Sequence, residues 1–265
     1  MMIKIYRSGA AGETTSTTLS WWTLAMIAFP EVQRRAQAEL DNVIGRDRLP
    51  TFADAPHLPY VSAVIREVLR WRPALPIGVP HAAMEDDWYE NMFIPKGSVC
   101  ISNVWHCNHD RAVFGEDADD FRPERHLDEQ GRLSSGPVET NRAGHTTFGF
   151  GRRVCVGKEL AADSLFIHTA RILWAANLER RRDKNANEMP LDLETLVNAG
   201  LIVWVLVLVE VSPWLTLFLE AALLRTVVWL LHASQRCCLS SQRNARALRI
   251  RNKHRKASTV PQSRL

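Results

Sequence analysis

Phe148 to Gly157 reads FGFGRRVCVG and holds one cysteine, Cys155, between glycines and just after the Arg152–Arg153 pair. The nearest other cysteine in sequence is Cys107, too remote for a local disulfide or a CxxC metal knuckle. Immediately downstream, KELAADSLFIHTARILWAANLE has helical periodicity, with Leu165, Thr169, Ile172, Leu173 and Ala176 on one face. The thiol therefore precedes a predicted helix start, where unpaired N–H groups and the positive end of the helix dipole favour an anion. The two arginines add to that field, and such surroundings convert a thiol to the thiolate that binds metals or attacks electrophiles. Gly151 and Gly157 remove side chains on either side, so a backbone or a ligand can approach closely. Taken alone, the stretch leaves two readings open: a ligating or nucleophilic thiol, and a small buried hydrophobe.

Upstream, three helical patterns carry the first half. TTSTTLSWWTLAMIAF is mostly apolar and stops near Pro30, and PEVQRRAQAELDNVI follows with proline suited to its first turn and Gly45 to its end. In YVSAVIREVLRWRP, Val61, Val64, Ile65, Val68 and Leu69 form one stripe, which ends before Pro73. The pieces PIGVPHAA and WYENMFIPKGSVCISNV, broken by turn residues, predict small β-hairpins on a helical body. Residues 126–146 are polar, Gly/Ser-containing and aperiodic, which predicts an exposed loop. His106, His109 and His145 fit no common metal spacing and read as structural or solvated, and most of the nine tryptophans read as core.

The 265 residues suffice for one large domain or two. The five cysteines, Cys100, Cys107, Cys155, Cys237 and Cys238, have no framework spacing, which favours a reducing compartment. The N-terminus MMIKIYRSGAAGETT turns polar at once and predicts neither signal peptide nor anchor. Charge divides the chain: residues 1–200 hold 23 Lys+Arg against 27 Asp+Glu, and residues 201–265 hold 10 against 2. Within that tail, Leu201 to Leu219 is a candidate membrane segment, although Glu210 and Pro213 fall in its middle. A central carboxylate costs about 2.5–3.5 kcal/mol on insertion scales. The basic end lacks an element that reads bases, so no nucleic-acid partner is expected.

Phe148, Gly151, Arg153, Cys155 and Gly157 fit F-x-x-G-x-R-x-C-x-G at every fixed position, and the stretch resembles the haem-ligand loop of the cytochromes P450. Other elements similar to that family follow the right order. EVLR supplies Glu67 and Arg70 in the pattern E-x-x-R; FRPERHLD resembles a PERF-type segment, keeping Arg125 but with His126 in place of the usual aromatic. AAGETT resembles the oxygen-activation segment, with Ala11 where a second glycine is usual. Segments such as PHAAMEDDWYENMFIPKGS look particularly like fungal microsomal members.

The resemblance implies a mainly α fold with small β-hairpins, the C-terminal part of the P450 fold, over residues 1–202. Residues 203–265 would be a non-family hydrophobic and basic tail, its abrupt change of pattern better explained by translation through an intron or a shifted frame. It also implies haem b, with Cys155 as the axial thiolate ligand of its iron. A thiolate pushes electron density toward the iron and favours O–O cleavage. Arg153 and His81 would face haem propionates, Phe148 would pack near the sulfur, and Gly151 and Gly157 would let the loop pass the porphyrin. Glu13 and Thr14 would form an acid–alcohol proton relay. Glu67, Arg70 and Arg125 would form a structural network behind the haem. Without the resemblance, Glu67–Arg70 reads as a solvated i,i+3 ion pair and Glu13–Thr14 as a helix cap. The implied activity is monooxygenation of a small organic substrate with electrons from NADPH through a cytochrome P450 reductase, at the cytosolic face of the endoplasmic reticulum membrane. The alternative is an inert truncated chain that binds haem weakly or associates with membrane.

Overall fold

The computed structural model describes residues 2–180, 187, 188, 191, 196–199 and 202–205. The architecture is mainly helical, with three two-stranded antiparallel sheets attached. Helix α1 spans Met2–Ala28, α2 Pro30–Val43 and α3 Pro59–Trp71. Strand β1 (His81–Ala82) pairs with β4 (Val99–Cys100), and β2 (Asp87–Tyr89) with β3 (Met92–Ile94). Two short helices follow, α4 (Val104–Asn108) and α5 (Arg111–Phe114), then α6 (Lys158–Ala175). Strands β5 (Leu196–Ala199) and β6 (Ile202–Val205) form the last hairpin.

Helix α1 starts well before the predicted Thr14 and runs through the AAGETT segment, so Glu13 and Thr14 lie inside the helix and cap nothing. Its hydroxyls bond backward instead of competing with the helix. Ser16, Thr18, Ser20 and Thr23 donate to the carbonyls of Glu13, Thr14, Ser16 and Leu19. Proline opens both α2 and α3, where a missing N–H is harmless. Glu39 on α2 then accepts from the free amides of Tyr60 and Val61, and so caps α3 from a neighbouring helix.

The core lies where α1, α2, α3 and α6 meet, with Trp21, Met26, Leu40, Val64 and Leu173 fully buried in it. Trp71 closes one end in tilted contact with Phe121, their ring centroids 5.2 Å apart. All five residues of the predicted α3 stripe are buried. The opposite face of α3 is buried too, so Glu67 and Arg70 are not the solvated pair that their spacing alone suggests.

The segment 126–146 departs from the exposed loop expected of it. Its middle is exposed, but His126, Thr140, Gly144, His145 and Thr146 are buried. The tryptophans divide: Trp21, Trp22 and Trp71 are core, whereas Trp88 and Trp105 are exposed. Among the described residues no helix is long and apolar enough to cross a membrane. Of the candidate segment 201–219, Ile202–Val205 form β6 and the rest lies outside the described residues, as do the basic tail, Cys237 and Cys238.

Candidate functional site

The Glu67 carboxylate is fully buried and accepts five hydrogen bonds. Its Oε1 takes Arg70 Nη2 at 2.7 Å, Arg125 Nε at 3.0 Å and the Arg122 amide at 2.9 Å. Its Oε2 takes Arg70 Nε at 2.8 Å and His126 Nε2 at 2.9 Å. Burial alone would push this carboxyl up, but the Arg70 and His126 hydrogen bonds outweigh it and hold the group at about 2. The structure thus brings Glu67, Arg70 and Arg125 together from α3 and from the short 3-10 turn Pro123–His126.

Both guanidinium groups are saturated. Arg70 gives its remaining N–H groups to the carbonyls of Asn108 (2.8 Å), Ala118 (2.6 Å) and Asp120 (2.9 Å). Arg125 bonds the carbonyls of Phe114, Asp117 and Asp120 and the Asp117 carboxylate. A planar five-donor fork suits this task, because it collects main-chain carbonyls from the ends of α4 and α5 and from the turn that follows α5.

The network reaches the cysteine loop through three polar residues. Asn108 Oδ1 accepts from the Thr146 amide and hydroxyl, and its Nδ2 donates to Thr147 Oγ1 at 3.2 Å. Thr147 Oγ1 donates to the Leu69 carbonyl at 2.6 Å, tying the approach to Phe148 directly to α3. The loop then closes on itself: the Cys155 amide donates to the Phe148 carbonyl at 2.9 Å. Gly149 and Gly151 inside it sit at φ +69° and +60°, where a side chain would be strained.

Cys155 lies two residues before Gly157, the N-cap of α6, and is exposed. The reading of it as a small buried hydrophobe is thereby corrected. A Cβ added at Gly157 would stand 3.9 Å from the Cys155 sulfur. Arg153 belongs to a 3-10 turn, Gly151–Arg153, and faces solvent, while Phe148 is half-buried and packs edge-on to His145. Around the thiol the loop exposes apolar side chains, Phe150, Val154 and Val156, the last at 99%. A soft sulfur donor amid exposed apolar side chains and two arginines fits a flat apolar group that carries a metal and anionic substituents. Glu13 and Thr14 are on other ground, exposed and half-buried on α1, and His81 is exposed on β1 opposite Cys100.

Asn108, Thr146 and Thr147 carry no signal in the sequence that would single them out, and His126 stood out there only as a departure from a motif. His145 is buried, and its ring Nδ1 accepts from the Thr147 amide at 3.3 Å. Burial, then the nearby cationic groups, pushes His145 down to about 3, so it is neutral near pH 7.

The cytochrome P450 family profile matches residues 7–199. A cytochrome P450 monooxygenase of Armillaria gallica is 54% identical over 198 residues, 75% of this chain and 38% of that protein. Cytochrome P450 monooxygenase 58 of Postia placenta is 49% identical over 194 residues, 73% of this chain and 36% of that protein. A zebra fish cytochrome P450, solved with abiraterone, superimposes with a TM-score of 0.62 at 36% identity, covering 72% of this chain and 42% of that one. The chain thus spans well under half the length of the relatives it matches, and its helices and small hairpins follow part of their fold. With a family profile over most of its length, this chain belongs to the cytochrome P450 family.

Proposed function

We propose that this chain carries the haem-thiolate side of a monooxygenase, with Cys155 as the ligand of haem b. The observation that carries the reading is an exposed thiol in a glycine-turned loop that is anchored, through Thr147 and Asn108, to a saturated buried ion network. Residues 1–202 are read as the C-terminal part of the family's domain and residues 203–265 as a separate tail.

When bound, haem b with a cysteine thiolate supplies reduction of dioxygen and insertion of one oxygen atom into an organic substrate, the other leaving as water. The chain's own residues have narrower tasks. Cys155 holds the iron, from its place two residues before the N-cap of α6 and beside Arg152–Arg153. Arg153 and His81 bind propionate groups by charge-assisted hydrogen bonds. Phe148 shields the sulfur from water, and Gly151 and Gly157 leave room beside it. Glu13 and Thr14 hold and pass protons on the side of α1. Glu67, Arg70 and Arg125 keep the loop in one geometry and touch no reacting atom.

The family further supports a small organic substrate, electrons from NADPH through a cytochrome P450 reductase, and a place at the cytosolic face of the endoplasmic reticulum membrane. The test is the absorption spectrum of the purified chain after haem is supplied, reduced and exposed to carbon monoxide. A red-shifted band of the thiolate type, lost in Cys155→Ala, is expected. A band that survives Cys155→Ala, or no uptake at all, would overturn the assignment. Uptake with the thiolate band but no substrate oxidation beside a reductase would favour a haem-binding chain without turnover.

A further inference from the structure

His126 occupies the position where the family's motif carries an aromatic ring, and here it does more than pack. Its side chain is 2% exposed, and it lies between three segments. Its Nε2 is 2.9 Å from Glu67 Oε2 on α3, and its carbonyl accepts from the Ser134 amide. Its other ring edge is so near Gly144 that a Cβ there would stand 2.9 Å from Nδ1 and 3.0 Å from Cε1. Gly144 is in turn held by its amide to Thr140 Oγ1 at 3.0 Å, and two residues later Thr146 begins the run into the cysteine loop.

The surrounding charge decides which form of the imidazole fits. Arg70 and Arg125 already face the Glu67 carboxylate, and Arg66 on α3 and His145 of the following loop also face the ring. The partly exposed Asp117 carboxylate also meets Arg125, at 3.3 Å, but two carboxylates still leave three buried cations with an excess positive charge and a large desolvation cost. A neutral ring with its proton on Nε2 donates to Glu67 and presents Nδ1, free of hydrogen, to the close Gly144 backbone. An aromatic ring would fill the same space but leave Glu67 Oε2 with one donor fewer.

We propose that His126 is a positioning residue for the Cys155 loop, a neutral Nε2–H donor that locks Glu67 and seats the Gly144 turn against it. The proposal goes beyond the ligand role of Cys155. It rests on that reading only for its consequence for bound haem, so its test is made on the haem-free chain. Hydrogen exchange, read by mass spectrometry at the amides of Gly144, Thr146 and Cys155, compares the unsubstituted chain with His126→Phe and His126→Gln. Loss of a hydrogen bond to a buried charge corresponds to roughly a ten- to hundredfold faster local exchange. The Phe variant is expected to show this at those amides while the α3 and α6 amides stay protected, and the Gln variant, which keeps a donor at the same reach, to restore most of the protection. Unchanged exchange in the Phe variant, or a Gln variant no better than Phe, would overturn the proposal.

Should the Phe variant fail to fold, nitrogen-15 shifts of the imidazole in the unsubstituted chain decide the matter. A neutral Nε2–H tautomer at pH 7 is expected; a cation or the Nδ1–H tautomer sinks the idea. Absence of a thiolate-type spectrum in the unsubstituted chain would count against Cys155 as ligand and leave both of these readouts intact.

Discussion

Asn108 holds Thr146 twice, its Oδ1 accepting from the threonine amide at 2.8 Å and from the hydroxyl at 2.9 Å. The Asn108 carbonyl, meanwhile, accepts from Arg70 Nη1. One residue at the end of a five-residue helix therefore joins the α3 guanidinium to the chain that enters Phe148. An amide side chain suits the place because it accepts and donates at once, and Thr147 Oγ1 accepts a hydrogen bond from its Nδ2.

Asn108→Ala should therefore strand buried donors on Thr146 and remove one donor to Thr147 Oγ1, which keeps its bond to the Leu69 carbonyl. Each buried polar group left unsatisfied costs about 1–3 kcal/mol. Urea unfolding should show a lower midpoint with an unchanged slope. If Asn108→Ala unfolds at the same urea concentration as the unsubstituted chain, the link to Thr146 carries no stability.

Replacing either partner of the Glu67–Arg70 pair should cost more than a surface pair would, since both side chains are 0% exposed. Glu67→Gln leaves Arg70 a buried cation without a counter-charge and Arg125 with the Asp117 carboxylate alone, a loss of about 3–5 kcal/mol. Arg70→Lys keeps the charge but gives up the fork that collects the carbonyls of Asn108, Ala118 and Asp120. Both variants should melt well below the unsubstituted chain in circular dichroism, and a Lys variant with unchanged melting would show that charge alone suffices.

Periodicity made α3 legible in the sequence, and the E-x-x-R spacing alone placed Glu67 beside Arg70. What the sequence could not convey was the depth of the pair. Helix α3 is covered on the side opposite its apolar stripe by residues 108–126, an aperiodic segment that no local pattern ties to it. Asn108 and His126 escaped for the same reason, because their partners stand 38 and 59 positions away. The polar composition of 126–146 suggested solvent, whereas its ends spend their polar groups on Glu67 and Asn108. In α1 Glu13 and Thr14 read as a cap because acid and Thr residues favour a first turn, yet the helix runs through them from Met2, and its Ser and Thr side chains donate back along it.

Stability should depend on pH well above the range in which carboxylates titrate. Burial lowers both His145 and His126 in the folded chain. Above their ordinary value of about 6.5 neither state takes the proton, and the fold has its full stability. As pH falls below that value the unfolded chain binds protons that the folded chain refuses, so stability drops by up to about 1.4 kcal/mol per pH unit for each histidine. For His145 the decline continues toward about 3. Glu67 adds its own loss only below about 4.5, as the pH falls toward about 2. Melting temperature should thus fall steadily between pH 7 and pH 5, and His145→Phe should flatten that slope. A chain equally stable at pH 7 and pH 5 would contradict the burial of these rings.

Gly144 and Gly131 offer a matched pair for separating backbone strain from contact. Both lie in the left-handed region, at φ +80° and +74°. A Cβ at Gly131 meets nothing within 4 Å, so Gly131→Ala carries only the conformational penalty, about 1–2 kcal/mol. A Cβ at Gly144 would stand 2.8 Å from Arg66 Cδ and 2.9 Å from His126 Nδ1. Arg66 is a flexible chain and can swing aside, but His126 is clamped by Glu67 and cannot move without breaking that bond. Gly144→Ala should therefore cost at least about 1–3 kcal/mol beyond Gly131→Ala, the range for overpacking a filled interior. Chemical denaturation of the two variants side by side measures the difference. In His126→Ala the space opens, and the added penalty at Gly144 should largely vanish, a non-additivity expected only of residues in direct contact. Equal losses in both backgrounds would mean that Gly144 is constrained by its backbone alone.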